Sequence, residues 1–222
     1  MQVNSHNESL VDLWEPRREV GPMDSEAGAG RVNQKERTRR AIVAAARELI
    51  RAGGEVTMPE VARSALVSEA TAYRYFPDLV SLLREAMDGT WPSPAEALAP
   101  VEQSDDPVER IAFATEHLLR HVQHYQSAVR AMISATVIRP GSASVRPGHR
   151  FGLIDHALAP LEATLGQQRP AALRQLKQDL AVIMSAEALF TLTDLAGLSA
   201  DDAIASAVRS ARTLTAVAVA DS

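Results

Sequence analysis

Between residues 57 and 76 helix start and stop signals follow one another so closely that only two short helices joined by a tight turn fit. Thr57 offers a hydroxyl N-cap, Glu60 stands three residues on as the other half of a capping box, and Pro59 sits in the first turn, where its missing N–H costs nothing. Ser68 is the next N-cap, which limits the helix before it to about two turns, and Pro77 stops the helix after it. Ala62 is small enough for the two helices to touch. Val61, Val67, Ala72 and Phe76 fall where they form a small core beneath, leaving Glu69, Ala70, Thr71, Tyr73 and Arg74 outward on the second helix.

The flanking sequence supplies the bracing elements. From Glu36 the apolar residues Ile42, Ala45, Ala46, Leu49 and Ile50 recur at helical spacing and stop at Gly53 and Gly54. Asp78 caps a fourth helix carrying Leu79, Leu82, Leu83 and Met87, which ends near Gly89, and the Pro-rich stretch from Trp91 to Pro100 reads as an irregular junction. Beyond it the pattern predicts helices over 106–125, 127–138, 149–165, 170–197 and 200–219, with a Gly/Pro/Ser loop from Arg139 to Gly148. No segment has strand period. The fold class is therefore all-α: a mobile tail over 1–32, a three-helix domain with a helix-turn-helix over 33–77, and a larger helical domain over 78–222 whose first part, 78–90, is a connecting helix. Within the tail, Val11, Leu13 and Trp14 form a short docking patch.

A helix-turn-helix places its second helix in the DNA major groove, which at first conflicts with a formal net charge of -5. The local field decides this, however, and the charge is unevenly spread. Residues 1–30 carry two basic and six acidic side chains, residues 31–87 ten and seven, and the remainder eleven and fifteen. The excess in the middle lies in Arg31, Lys35, Arg37, Arg39, Arg40, Arg47 and Arg51, which fit either a DNA-facing surface or an ordinary solvated helix face. The absence of cysteine excludes disulfides and thiolate chemistry, and no apolar run is long enough to cross a bilayer, so a cytoplasmic protein without a signal peptide is expected. No glycine-rich nucleotide loop, activated nucleophile or paired carboxylate frame marks an enzyme, and no catalytic residue, metal or cofactor is expected.

The ordered array Thr38-Arg-Arg-Ala-Ile-Val-Ala-Ala-Ala-Arg-Glu-Leu-Ile50, then Thr57 to Ala62, then Val67-Ser-Glu-Ala-Thr-Ala-Tyr-Arg-Tyr-Phe76 with Pro77 and Leu82, resembles the tetracycline-repressor (TetR) family of transcription regulators. The likeness covers about fifty residues. Val67, Ser68, Thr71, Tyr73 and Phe76 match the family's recognition helix, with Ala72 in place of its Leu and Tyr75 in place of its His. Two further departures are Leu66, where the family has a turn glycine, and Leu79, where it has a phosphate-binding lysine. Leu66 is strained if the turn is left-handed. Loss of the lysine removes one phosphate contact and flattens the salt dependence by about one charge.

The resemblance, with residue chemistry, implies double-stranded operator DNA as partner. Thr57, Ser68, Thr71, Tyr73 and Tyr75 donate to phosphates, helped by Met58 and Glu69 at the helix starts; Tyr73 and Tyr75 are alternatively packing residues. Arg74 reads a guanine edge or holds a phosphate, Ala70 touches a thymine methyl, and Arg37 and Arg40 reach the backbone or minor groove as a basic arm.

For the helical remainder the resemblance implies a small-molecule effector site and a homodimer built on the last two helices. Phe113, His117, His121, Tyr125, Met132, Phe151, Met184, Glu187 and Phe190 are the candidate pocket residues, each alternatively plain core. Ala203, Ala207, Ser210, Ala211 and Leu214 give the last helix a close-approach face which, with Leu180 and Thr191, serves a dimer or an intrachain contact. Glu187 interrupts an apolar stripe and needs a partner across the dimer, from an arginine or from a cationic ligand. His117, His121 and His124 share a helix face that flanks the apolar stripe, a position suiting pocket-edge or solvent-facing side chains better than a metal site.

Overall fold

The computed structural model describes residues 24–138 and 148–220, with side chains from Val32 onward. All the described elements are helical. The chain divides into two compact units, Met1–Thr38 and Arg39–Ser222. The expected docking patch at Val11, Leu13 and Trp14 lies outside the described residues.

Helix α1 runs Asp24–Arg51, beginning nine residues earlier than the tail boundary read from Gly28 and Gly30. Each glycine costs only about 1 kcal/mol relative to alanine once a helix is nucleated. The second unit continues with α2 (Met58–Ser64), α3 (Glu69–Tyr75) and α4 (Leu79–Ala86), each opened by the residue its sequence advertises: Thr57, Ser68 and Asp78. The Pro-rich junction is not irregular throughout. Ser93 and Glu96 form a full capping box that starts α5 (Pro94–Leu98), and a 3₁₀ turn, Ala99–Val101, follows.

Helices α6 (Pro107–His124) and α7 (Gln126–Ile138) match the predicted spans within a residue. The segment read as one helix over 149–165 is instead broken into α8 (His149–Ala157), α9 (Ala159–Glu162) and, after Thr164, α10 (Leu165–Gln168). Pro160 explains the first break: it lacks the N–H an unbroken helix needs and sits in the first turn of α9. The long helix predicted over 170–197 is likewise divided, into α11 (Pro170–Ile183), α12 (Ala186–Phe190) and a π turn over Thr191–Leu195. Ser185 causes this break; its backbone is extended and its hydroxyl accepts the Ala188 N–H at 3.0 Å. Helix α13 spans Ala200–Ala220.

Two apolar clusters hold the second unit together. One joins Ile42 and Ala46 of α1, Val61 and Ala62 of α2, Phe76, Leu82 and Leu83 to Leu119 of α6, Met132 of α7 and Ala203 of α13. Packing is thus continuous across residue 77, so the expected boundary between 33–77 and 78–222 is not a boundary of the core. The other cluster gathers α5, α6, α8, α11 and Ala211 of α13.

Arg110 of α6 is the main polar fastener of that second region. Only 3% exposed, it sends Nε to the Ala157 carbonyl (3.1 Å), Nη2 to His156 (2.9 Å) and Nη1 to Val101, Glu102 and Ser104 (3.0, 3.0 and 3.3 Å). It thereby ties the last carbonyls of α8 to the 3₁₀ turn, where the backbone acceptors have no helical partner.

Candidate nucleic-acid interface and interior cavities

Helix α2 starts where Thr57 Oγ1 accepts the Glu60 N–H at 3.3 Å, but the Glu60 carboxylate is taken by Arg63 at 2.7 Å, which leaves the expected capping box half made. At its other end Val67 N–H returns to the Ala62 carbonyl at 3.0 Å and Leu66 N–H to Arg63 at 3.1 Å. These bonds wrap the chain through a left-handed residue, and that residue is Leu66, at φ +56°. It is 92% exposed, so its side chain recovers nothing for the strain. Leu66→Gly is expected to raise stability by about 1 kcal/mol, seen as a higher urea midpoint with an unchanged slope.

Helix α3 then begins at Ser68, whose hydroxyl accepts the Thr71 N–H at 3.2 Å and lies 2.9 Å from the Thr71 hydroxyl. Ala72 is its one buried residue. Glu69, Ala70, Tyr73 and Arg74 are exposed together, and Thr71 partly so. Tyr75 is half-buried against the core and carries the Arg74 guanidinium 5.7 Å from its ring centre, which makes it a packing residue first. Met58 is corrected outright: at 3% exposure it belongs to the core beneath α2 and has no surface to offer a phosphate.

The basic residues of α1 separate into two kinds. Arg37, in the first unit, and Arg40, in the second, are both exposed. Arg39 and Arg47 are bound to α4 instead. Arg39 Nε donates to Glu85 at 3.0 Å, its Nη2 bonds the second carboxylate oxygen, and its guanidinium lies 4.6 Å over the Phe76 ring. Arg47 Nε reaches the Ala86 carbonyl at 2.9 Å and its Nη2 the Glu85 carbonyl at 3.3 Å, so it caps the end of α4. Nothing in helical periodicity distinguishes a clamping arginine from a DNA-facing one; Glu85, spaced for the fourth helix, is the only hint.

The candidate pocket residues do not form one site. Met132, Met184 and Glu187 meet in a cavity of about 80 Å³ with Leu118, Val122 and Trp91. Glu187 finds an arginine, Arg150, at 3.7 Å. Phe113, His117, His121 and Tyr125 line a separate groove on α6 with His124. Phe151 is 56% exposed, and Phe190 lies under Arg130, whose guanidinium is 3.8 Å from its ring, so both stand apart from these two sites. Aromatic Trp91 and His149, together with Arg150, are cavity residues that periodicity passed over because they stand at an element junction and at a helix start.

His121 packs 3.9 Å from Trp91 and 4.7 Å from Tyr125, and burial, assisted by the neighbouring His117, His124 and His149, pushes it down to about 4. It is neutral near pH 7. Among the described residues no group of three His, Cys, Asp or Glu side chains is placed to hold a metal ion.

The small-residue face of α13 is turned inward. Ala203, Ala207 and Ala211 are buried, and α13 packs on α6 and α11 of the same chain; Leu180 is buried too. These four are corrected to intrachain contacts, because a side chain with no exposed area has none to lose to a partner. Leu214 is partly buried against the second cluster, while Thr191 and Ser210 are exposed. Val182 of α11 and Val217 of α13 are apolar and exposed, at 70% and 57%. No helix among the described residues is long and apolar enough to cross a membrane.

Residues 42–86, from α1 through α4, match the family model for bacterial regulatory proteins of the tetR family. The chain matches no curated protein and no solved structure.

Proposed function

We propose that the chain is a DNA-binding transcription repressor which a small molecule releases from a near-palindromic operator, a reading supported by the match of residues 42–86 to the family model for bacterial regulatory proteins of the tetR family. The observation that carries this reading is the exposed strip Glu69, Ala70, Tyr73 and Arg74 on α3, a helix fixed from below by Ala72 and at its start by Ser68. Ser68, Thr71 and Tyr73 act as phosphate donors, with Thr57 and Tyr75 kept mainly for capping and packing. Arg74 meets a base edge and Ala70 a thymine methyl. Arg37 and Arg40 serve the DNA backbone. Two recognition helices in a homodimer read half-sites about 34 Å apart. The exposed Thr191, Ser210, Val182 and Val217 are the residues we assign to that dimer.

Release rests on α4. Its end is clamped to α1 through Arg39 and Arg47, while Leu83, Arg84 and Met87 wall a cavity of about 330 Å³ with Trp91, Met132 and His149. A ligand there pushes on the helix that holds the reader. A coupling of about 1–3 kcal/mol is enough to change operator occupancy several-fold. The cavity favours a small ligand over control by a protein partner acting on a filled core.

Selection of genomic DNA by the purified full chain is expected to return a sequence with two-fold symmetry. Failure to select any sequence would sink the proposal. Arg74→Ala is expected to weaken the selected site by about 1–3 kcal/mol and to relax choice at one base. A uniform loss over unrelated DNA would make Arg74 a phosphate contact.

A further inference from the structure

Three cavities in the second unit share one wall. The first, about 80 Å³, lies among Leu118, Val122 and Met184; the second, about 330 Å³, is bounded by Leu83 and Met87; the third, about 360 Å³, by Pro94, His117 and Leu153. Trp91 and His149 line all three. Their rings are stacked at 4.6 Å and 7°, so a parallel imidazole covers an indole face at the point where the cavities meet.

The cover is of a replaceable kind. His149 stands at the very start of α8 and keeps part of its surface exposed, and its ring is smaller than the indole it lies on. On the same indole His121 sits 3.9 Å away at 43°, and its Nε2 is buried with no hydrogen-bond partner, so this wall offers a polar atom as well as a π surface. Charge is balanced around it. Arg150 pairs with Glu187 at 3.7 Å and donates to the Ala181 carbonyl at 3.1 Å, while burial lowers His121 to about 4, which leaves it neutral near pH 7, and lowers His149 as well. Arg84 and Asp88, of opposite sign, line the second cavity as well, so a charged ligand would surrender its hydration without a net counter-charge to receive it.

We propose that Trp91 is the recognition platform for the effector, and that the effector is an uncharged planar aromatic molecule bearing a hydroxyl, which takes the place of His149 on the indole. Removing the imidazole joins space that the Trp91–His149 stack now divides, which gives a site of the size that small-molecule pockets have. Offset or parallel stacking supplies the affinity, and planarity supplies the selectivity. This inference deepens the ligand-release reading and rests on it.

The test is calorimetric titration of the full chain, free of DNA, with 2-naphthol, its saturated analogue decahydro-2-naphthol and the anion 2-naphthoate. 2-Naphthol is expected to bind saturably and at least tenfold more tightly than either of the others. Trp91→Leu is expected to abolish binding, Trp91→Phe to retain part of it, and His149→Ala to bind at least as tightly as the parent because the competing ring is gone. In the proton NMR spectrum of the parent, the His149 ring signals, assigned with His149→Ala, are expected to move downfield as the ring leaves the indole. Equal binding of the saturated analogue, or binding by Trp91→Leu at parental strength, would overturn the platform. Binding of 2-naphthol that leaves DNA affinity unchanged would uphold the platform and remove the release mechanism. Absence of 2-naphthol binding in a chain that another small molecule does release from DNA would remove the platform alone.

Discussion

Arg110→Ala is expected to cost the chain about 3–5 kcal/mol, read as a fall in the urea midpoint without a change in slope. The size follows from what the side chain does. Five carbonyl oxygens, from Val101, Glu102, Ser104, His156 and Ala157, accept from one buried guanidinium. Truncation strips all five at once and opens a gap beside the buried Ile111 and Ala157. Each carbonyl that water does not reach then carries a desolvation cost of about 1–3 kcal/mol. Arg110→Lys is expected to recover less than half, because an ammonium is a point donor and the acceptors are spread to suit a planar fork. A loss below about 1 kcal/mol for Arg110→Ala would mean that water replaces the guanidinium.

Phe76→Ala carries the second large effect, about 3–5 kcal/mol, from the burial lost and the cavity left beneath the reader. Phe76 is 2% exposed and ends α3, with its N–H on the Ala72 carbonyl and its ring under Arg39. The substitution therefore undoes more than packing: it loosens the α1–α4 clamp at the same point. DNA binding is expected to disappear before the helical signal does, as the far cluster of α5, α8 and α11 does not touch this site. Circular dichroism and DNA titration on the same samples separate the two. Loss of both together at one temperature would mean that the second unit unfolds as a whole.

How much of this was legible in the sequence depends on whether the deciding interaction is local. Thr57, Ser68 and Asp78 act on backbone N–H groups two or three residues away, and each helix start they announce is where the chain puts it. Leu66 was singled out through the resemblance, which has a glycine at that position, and the left-handed backbone such a glycine implies is found there. Pro160 and Ser185 were legible too, yet the apolar periodicity running through them outweighed their signal and merged five helices into two. Sites failed differently. Whether an arginine meets a phosphate or Glu85, or whether an alanine stripe meets a partner or α6, is set by residues tens of positions away. No local pattern carries that information. Trp91 and His149 are the extreme case: they come from a junction and a helix start, and only the fold stacks them.

Helix α3, the proposed recognition helix, has seven residues and buries only Ala72. A helix so short does not persist alone in water, because nucleation costs more than its few hydrogen bonds return. Its folded lifetime is lent to it by α1, α2 and α4. In a DNA-binding assay run near the unfolding temperature, a change anywhere in that scaffold will thus imitate the loss of a base contact. Affinities of variants become comparable only well below the transition, where the reader is fully populated in every one of them.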